Sequence, residues 1–129
     1  KETTIRQFNR NNDDPVYYDT SGGSNTIDPA HALNIWVMDI GESLNGRSRY
    51  PWAEATDKHG IIIANRAFGS KDYDYNKEFY LPKPNKDLGR TGTHEVGHFI
   101  SLRHIWMSSS CGCSCDDHVD DTPSQGRYY

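Results

Sequence analysis

Residues 89–104 read GRTGTHEVGHFISLRH and contain His94-Glu95-Val96-Gly97-His98. Val96, Phe99, Ile100 and Leu102 recur at helical spacing, so the stretch predicts a helix over Gly89–Leu102, led in by Gly89–Gly92 and capped by Thr91 or Thr93. At about 100° per residue, positions four apart differ by only about 40° around the axis. His94 and His98 therefore project from one face, and two neutral imidazoles so placed can grip one divalent ion while leaving room for solvent. Glu95 stands beside the pair, where a carboxylate can take a proton from that solvent. Two solvated or core-bound histidines are the bland alternative, and a third histidine argues against it. His104 follows six residues after His98, about 240° round on an unbroken helix, so it reaches the same ion only if the helix ends between them. A left-handed residue at Ser101 would end it there, although glycine is the usual choice and a Cβ costs about 1–2 kcal/mol.

Working outward from the helix, Leu33–Ile40 (LNIWVMDI) is nearly continuous apolar sequence, the pattern of a central strand covered on both faces. Gly60–Asn65 (GIIIAN) reads as a second buried strand, and Thr3–Phe8 reads as a strand closing into a loop, with Val16–Tyr18 as a short extension. Tyr17–Pro29 has loop chemistry, and Asp28-Pro29 can start a helical turn through Ala32. Gly41–Arg49 reads as a polar loop. Tyr50-Pro51-Trp52 can only be an edge element, because proline removes a ladder donor. Arg66–Asp87 reads as a long irregular loop in which Tyr73, Tyr75, Phe79 and Tyr80 pack. His31, His59 and His118 have no partners at ligand spacing and are expected at the surface.

Composition bounds what this arrangement can be. A chain of 129 residues with 34% hydrophobic content, 11 glycines and 6 prolines allows one domain with a small core. Lys+Arg 14 against Asp+Glu 18 gives a net charge of −4, which is no footprint for nucleic acid or an anionic membrane. No apolar run approaches the roughly 20 residues needed to span a bilayer. Cys111, Cys113 and Cys115 fall within five positions, too close to bridge one another and without the paired spacing of a zinc knuckle. Either their partners lie outside the segment or they are free thiols.

The stretch Gly89–His104 resembles the extended zinc signature H-E-x-x-H-x-x-G-x-x-H of the metzincin metallopeptidases, with Ser101 in place of its glycine. Together with Asp117-His118-Val119-Asp120-Asp121-Thr122-Pro123 and the upstream strands, the chain from about Thr3 to Pro123 is similar to the pappalysin family. The resemblance implies an α+β fold: a metzincin-like upper subdomain with a twisted, mostly parallel sheet, an antiparallel edge strand and an active-site helix. It implies zinc held by His94, His98 and His104, and Glu95 as general base. An edge strand, Ser48–Trp52, would pair with extended substrate. The family also carries structural calcium near the acidic segment, for which Asp117, Asp120 and Thr122 are the candidate ligands; a solvated acidic turn is the alternative.

The implied function is that of a secreted, extracellular zinc endopeptidase acting on protein or peptide substrates. The metzincin Met-turn has no counterpart, since Met107 is too close to His104 and Met38 lies in a strand. Residues 1–129 are therefore expected to form a single subdomain truncated at both ends. The missing C-terminal part of its own catalytic domain would be a partner, and Cys111, Cys113 and Cys115 would be disulfide candidates to the missing sequence. The alternative is a catalytically incomplete fragment that binds zinc and calcium and serves only as a binding or structural piece. A calcium-dependent adhesion module would leave the histidine constellation without purpose.

Overall fold

The computed structural model describes residues 8–9, 11–53, 56–70, 88–106 and 117–123. Among these, three strands and one helix carry the architecture: β1 (Ile35–Met38), β2 (Gly46–Ser48), β3 (Ile61–Ala64) and α1 (Arg90–Phe99). The described sheet has the order β1-β3-β2, with β1 parallel to β3 and β2 antiparallel to it. Thr3–Gln7, Tyr73, Tyr75, Phe79, Tyr80, Met107 and the three cysteines lie outside the described residues.

The register assigns each side chain to a face. Ile35, Ile61 and Ile63 share one face with Val37, Gly46 and Ser48, while Trp36, Ile62 and Arg47 share the other. On the first face α1 packs over β2 and β3, and a Cβ built on Gly92 would lie 3.6 Å from Ile63 Cδ1. On the second face Tyr17 meets Trp36 edge-on, with ring centroids 4.9 Å apart. The Trp36 indole N–H donates to the Ser24 carbonyl at 2.9 Å, so the ring is buried with its polar atom satisfied. Ile61, Ile62 and Ile63, each 1% exposed, are covered from both sides. Burying side chains of this size contributes about 1.5–3 kcal/mol each.

This arrangement corrects the expectation for Leu33–Ile40. The strand covered on both faces is β3, and β1 flanks it with alternating burial: Trp36 is buried, while Ile35 and Val37 are 46% and 44% exposed. Ile35 and Val37 point to the helix side, but α1 sits over β2 and β3 and leaves them uncovered. The Gly41–Arg49 stretch, read as a loop, contains β2; Tyr50-Pro51-Trp52, read as an edge element, lies in a turn closed by the Ala53 N–H on the Tyr50 carbonyl at 3.0 Å. Backbone pairing here overrides weak strand propensity: Ala64 N–H bonds Asn45 O at 2.8 Å and Arg49 N–H bonds Gly60 O at 3.2 Å, extending the ladder at both ends of β2.

Val16–Tyr18 is not a strand extension either. Pro15 sits in a single 3-10 turn, Asp14–Tyr17, whose Val16 and Tyr17 enter the core. The helical turn expected at Asp28 forms, with the Ala32 N–H on the Asp28 carbonyl at 2.8 Å. His31 and His118 are exposed; His59 is half-buried, its Nε2 donating to the Ala53 carbonyl at 3.0 Å.

Candidate metal centre

Helix α1 starts after Gly89, whose φ of 68° lets the chain turn into it, and no side-chain cap is made. The expected caps at Thr91 and Thr93 are absent because the left-handed glycine sets the approach; the Thr93 hydroxyl instead reaches back to Gly89 O at 3.5 Å. The helix stops at Phe99, short of Leu102. Val96 and Phe99 pack on the core, whereas Ile100 and Leu102 are 60% and 54% exposed, because the chain has already turned away.

Ser101 makes that turn. Its φ is 84°, and the Leu102 N–H bonds Gly97 O at 2.9 Å while the Ser101 N–H bonds His98 O at 3.0 Å. These two bonds define a Schellman ending with serine where glycine is preferred. Ser101→Gly is expected to raise stability by up to about 1 kcal/mol, the relief of Cβ strain less the added freedom of the unfolded chain, measured as an upward shift in the denaturant midpoint.

The consequence is convergence of three imidazoles. His94 Nε2 and His98 Nε2 are 3.1 Å apart, His98 and His104 are 2.9 Å apart, and His94 and His104 are 3.0 Å apart. Among the described residues this is the one group of three or more His, Cys, Asp or Glu side chains that could hold a metal. Carbonyl oxygen only accepts, so the 2.7 Å contact of His98 Nδ1 with Leu102 O places the proton on Nδ1 and leaves a lone pair on Nε2. Burial first, and then the neighbouring imidazoles, hold His94 and His104 below the usual histidine pKa and so in the neutral, ligating form. Three Nε2 atoms about 3 Å from one another would hold an ion at zinc–nitrogen distances of about 2.0–2.1 Å, so the donor set suits zinc.

Glu95 is 6% exposed and is the one buried residue of α1. Burial alone pushes its carboxyl up to about 7; a divalent cation beside it would act in the opposite direction. Its carboxylate lies against Gly46 of β2, where an added Cβ would sit 2.6 Å from Glu95 Cγ and Oε1. Only glycine leaves room. Because the clashing atoms are the far end of a side chain, Gly46→Ala is expected to spare the fold and to displace the carboxylate. A reaction that relies on that carboxylate should slow about 10²-fold, the scale of a 1 Å misplacement, with little change in unfolding midpoint. His94 and Glu95 both line a cavity of ≈ 440 Å³ walled by Leu44, Asn45, Gly46, Leu88, Arg90 and Thr91.

The expected calcium site is not supported. Asp117 is buried, but its Oδ1 accepts the Val119 N–H at 3.1 Å, closing a local turn, while Asp120 and Asp121 are exposed. Among the described residues no group of three or more His, Cys, Asp or Glu side chains converges at this segment. Sequence reasoning also missed three contributors to the site: Gly46, Tyr50 and Trp106. Trp106 stacks on His104 with centroids 4.6 Å apart and planes 9° apart. Nothing in local patterning marks them, since their role comes from contacts across the fold.

An α+β fold in which a helix and the turn after it bring three imidazoles together, with a buried glutamate lining the same cleft as one of them, is the arrangement of a metallopeptidase. Residues 18–128 match the peptidase M43 family model, described as Pregnancy-associated plasma protein-A, and the chain belongs to that family. Mature mirolysin of Tannerella forsythia, solved in complex with a cleaved peptide, is 35% identical with a TM-score of 0.81, over 98% of this chain and 44% of that one. An extracellular metalloprotease of Arthroderma gypseum is 32% identical over 101 residues, 73% of this chain and 31% of the relative. One from Arthroderma benhamiae is 54% identical over 44 residues, 33% of this chain and 15% of the relative. The chain thus spans less than half the length of these relatives.

Proposed function

We propose that this chain carries the zinc-binding part of an endopeptidase that acts outside the cell on protein or peptide substrates. The observation that carries the reading is the mutual approach of His94, His98 and His104 Nε2 to about 3 Å, with Glu95 lining the same cleft as His94. Mirolysin's complex with a cleaved peptide supports the substrate class, and relatives named extracellular metalloproteases support the location.

His94, His98 and His104 would hold the zinc. The ion, when bound, supplies Lewis acidity, polarising a carbonyl and lowering the pKa of water. Glu95 supplies proton movement: a carboxylate oxygen takes a proton from the attacking water and later delivers it to the leaving amide nitrogen. Its burial against Gly46 keeps bulk water from competing for that proton. His98 Nδ1–H, tied to Leu102 O, keeps the Nε2 lone pair aimed inward. The edge strand β2 lies beside the cleft and offers backbone groups to an extended peptide.

Metal removal tests this reading. A peptide library incubated with the zinc-loaded chain should be cleaved, cleavage should vanish on adding a strong chelator, and one equivalent of zinc should restore it. If the chain binds one zinc yet leaves every peptide intact, it is a metal-binding piece and the endopeptidase reading fails for it.

A further inference from the structure

The turn that brings His104 back to the helix has little beneath it. Ile100, Leu102 and Ile105 are 60%, 54% and 43% exposed, and Ser101 holds a left-handed backbone. Yet the histidine it delivers lies within hydrogen-bond distance of two others. Among the described residues, a side chain of the turn reaches across to another element. Arg103, the residue before His104, places its guanidinium 5.3 Å from the centroid of the Trp52 ring.

From Trp52 the contacts run on to the second histidine. Trp52 stacks on Tyr50 with centroids 4.5 Å apart and planes 9° apart. Tyr50 in turn meets His98 edge-on at 5.6 Å, its hydroxyl 3.5 Å from Nδ1. The loop that carries both aromatics is itself held, by the Ala53 N–H on Tyr50 O and by His59 on Ala53 O, immediately before β3 begins.

We propose that Tyr50, Trp52 and Arg103 form a stacked clamp that positions His98 and His104, fixing the turn after the helix against the loop after β2. None of the three supplies one of the converging nitrogens; they are positioning residues. The inference rests on the reading of His94, His98 and His104 as zinc ligands. A ligand set held from outside loses less freedom when an ion binds, and outer partners of ligating histidines typically govern affinity by about 10–100-fold. Arginine suits the end of the stack because its planar guanidinium lies flat on an indole, which an ammonium does less well.

The test measures zinc release from the full chain into excess chelator, together with the visible spectrum of the cobalt(II)-loaded protein. Arg103→Ala is expected to release zinc about two- to fivefold faster, the scale of one exposed cation–π contact. Trp52→Ala is expected to release it about tenfold faster, and Arg103→Lys should recover part of the loss. Both alanine variants should alter the cobalt spectrum while the unfolding midpoint of the metal-free protein stays at the wild-type value, since Arg103 is exposed and Trp52 is 56% exposed. Unchanged release and unchanged spectra in both variants, with wild type binding one zinc, would overturn the clamp and leave the zinc reading standing. A wild type that takes up no zinc at these histidines overturns both.

Discussion

Glu95→Gln is expected to lower kcat/KM for peptide cleavage by about 10²–10⁴-fold while zinc remains bound one to one. Glutamine keeps the size and shape of the side chain, so the space against Gly46 stays filled and the three imidazoles stay where α1 and the Ser101 turn put them. What is lost is a group able to take a proton from water and give it back. At about 1.4 kcal/mol per factor of ten, the loss corresponds to about 3–6 kcal/mol of barrier. Glu95→Asp should also be impaired, because the shorter side chain withdraws the carboxylate from the cleft. The check is peptide turnover measured beside zinc content on the same samples. Turnover of Glu95→Gln above a tenth of wild type would mean that the base is another residue.

The second large effect concerns the opposite face of β2. Asp13 is 6% exposed, and its carboxylate accepts from Tyr17 Oη at 2.9 Å, from Arg49 Nη2 at 3.0 Å and from Arg47 Nη1 at 3.0 Å. Burial pushes the Tyr17 hydroxyl up to about 12, so it stays protonated and donates. Asp13→Ala removes the shared acceptor from two guanidiniums and one buried hydroxyl at once. The expected loss is about 3–5 kcal/mol of unfolding free energy, read as a lower denaturant midpoint. Arg47 and Arg49 keep 36% and 23% side-chain exposure, which lets them recover some hydration and places the effect toward the lower end. Because Arg47 alternates with Gly46 along β2, loosening Asp13 should also loosen the wall behind Glu95. A destabilisation below 1 kcal/mol would show that the pairs are dispensable.

The convergence of the three histidines was legible because one helix and one turn write it. Two histidines four apart share a face whatever surrounds the helix, and His104 needed only one left-handed residue, which Ser101 supplies with φ at 84°. The choice between two apolar strands was not legible. Leu33–Ile40 has the longer run, but coverage depends on where α1 lies, and α1 lies over Ile61–Ala64. Gly46–Ser48 carries almost no strand propensity; the backbone of β3 makes it a strand. The acidic segment is open for a related reason, since nearby carboxylates in sequence share a centre only where the loop aims them together, and Asp117 is turned onto its own backbone.

By itself the sequence determined that three histidines can meet, that a glutamate stands beside them, the family and the α+β class, because each depends on residue type at short, fixed spacing. The tertiary structure alone decided which strand lies at the centre, that Gly46 makes room for Glu95, that Asp13 ties Arg47 of β2 and Arg49 just after it, and that Trp52 meets Arg103. Those pairings join residues about 34 to 51 positions apart, where chain connectivity constrains little and only packing can choose a partner.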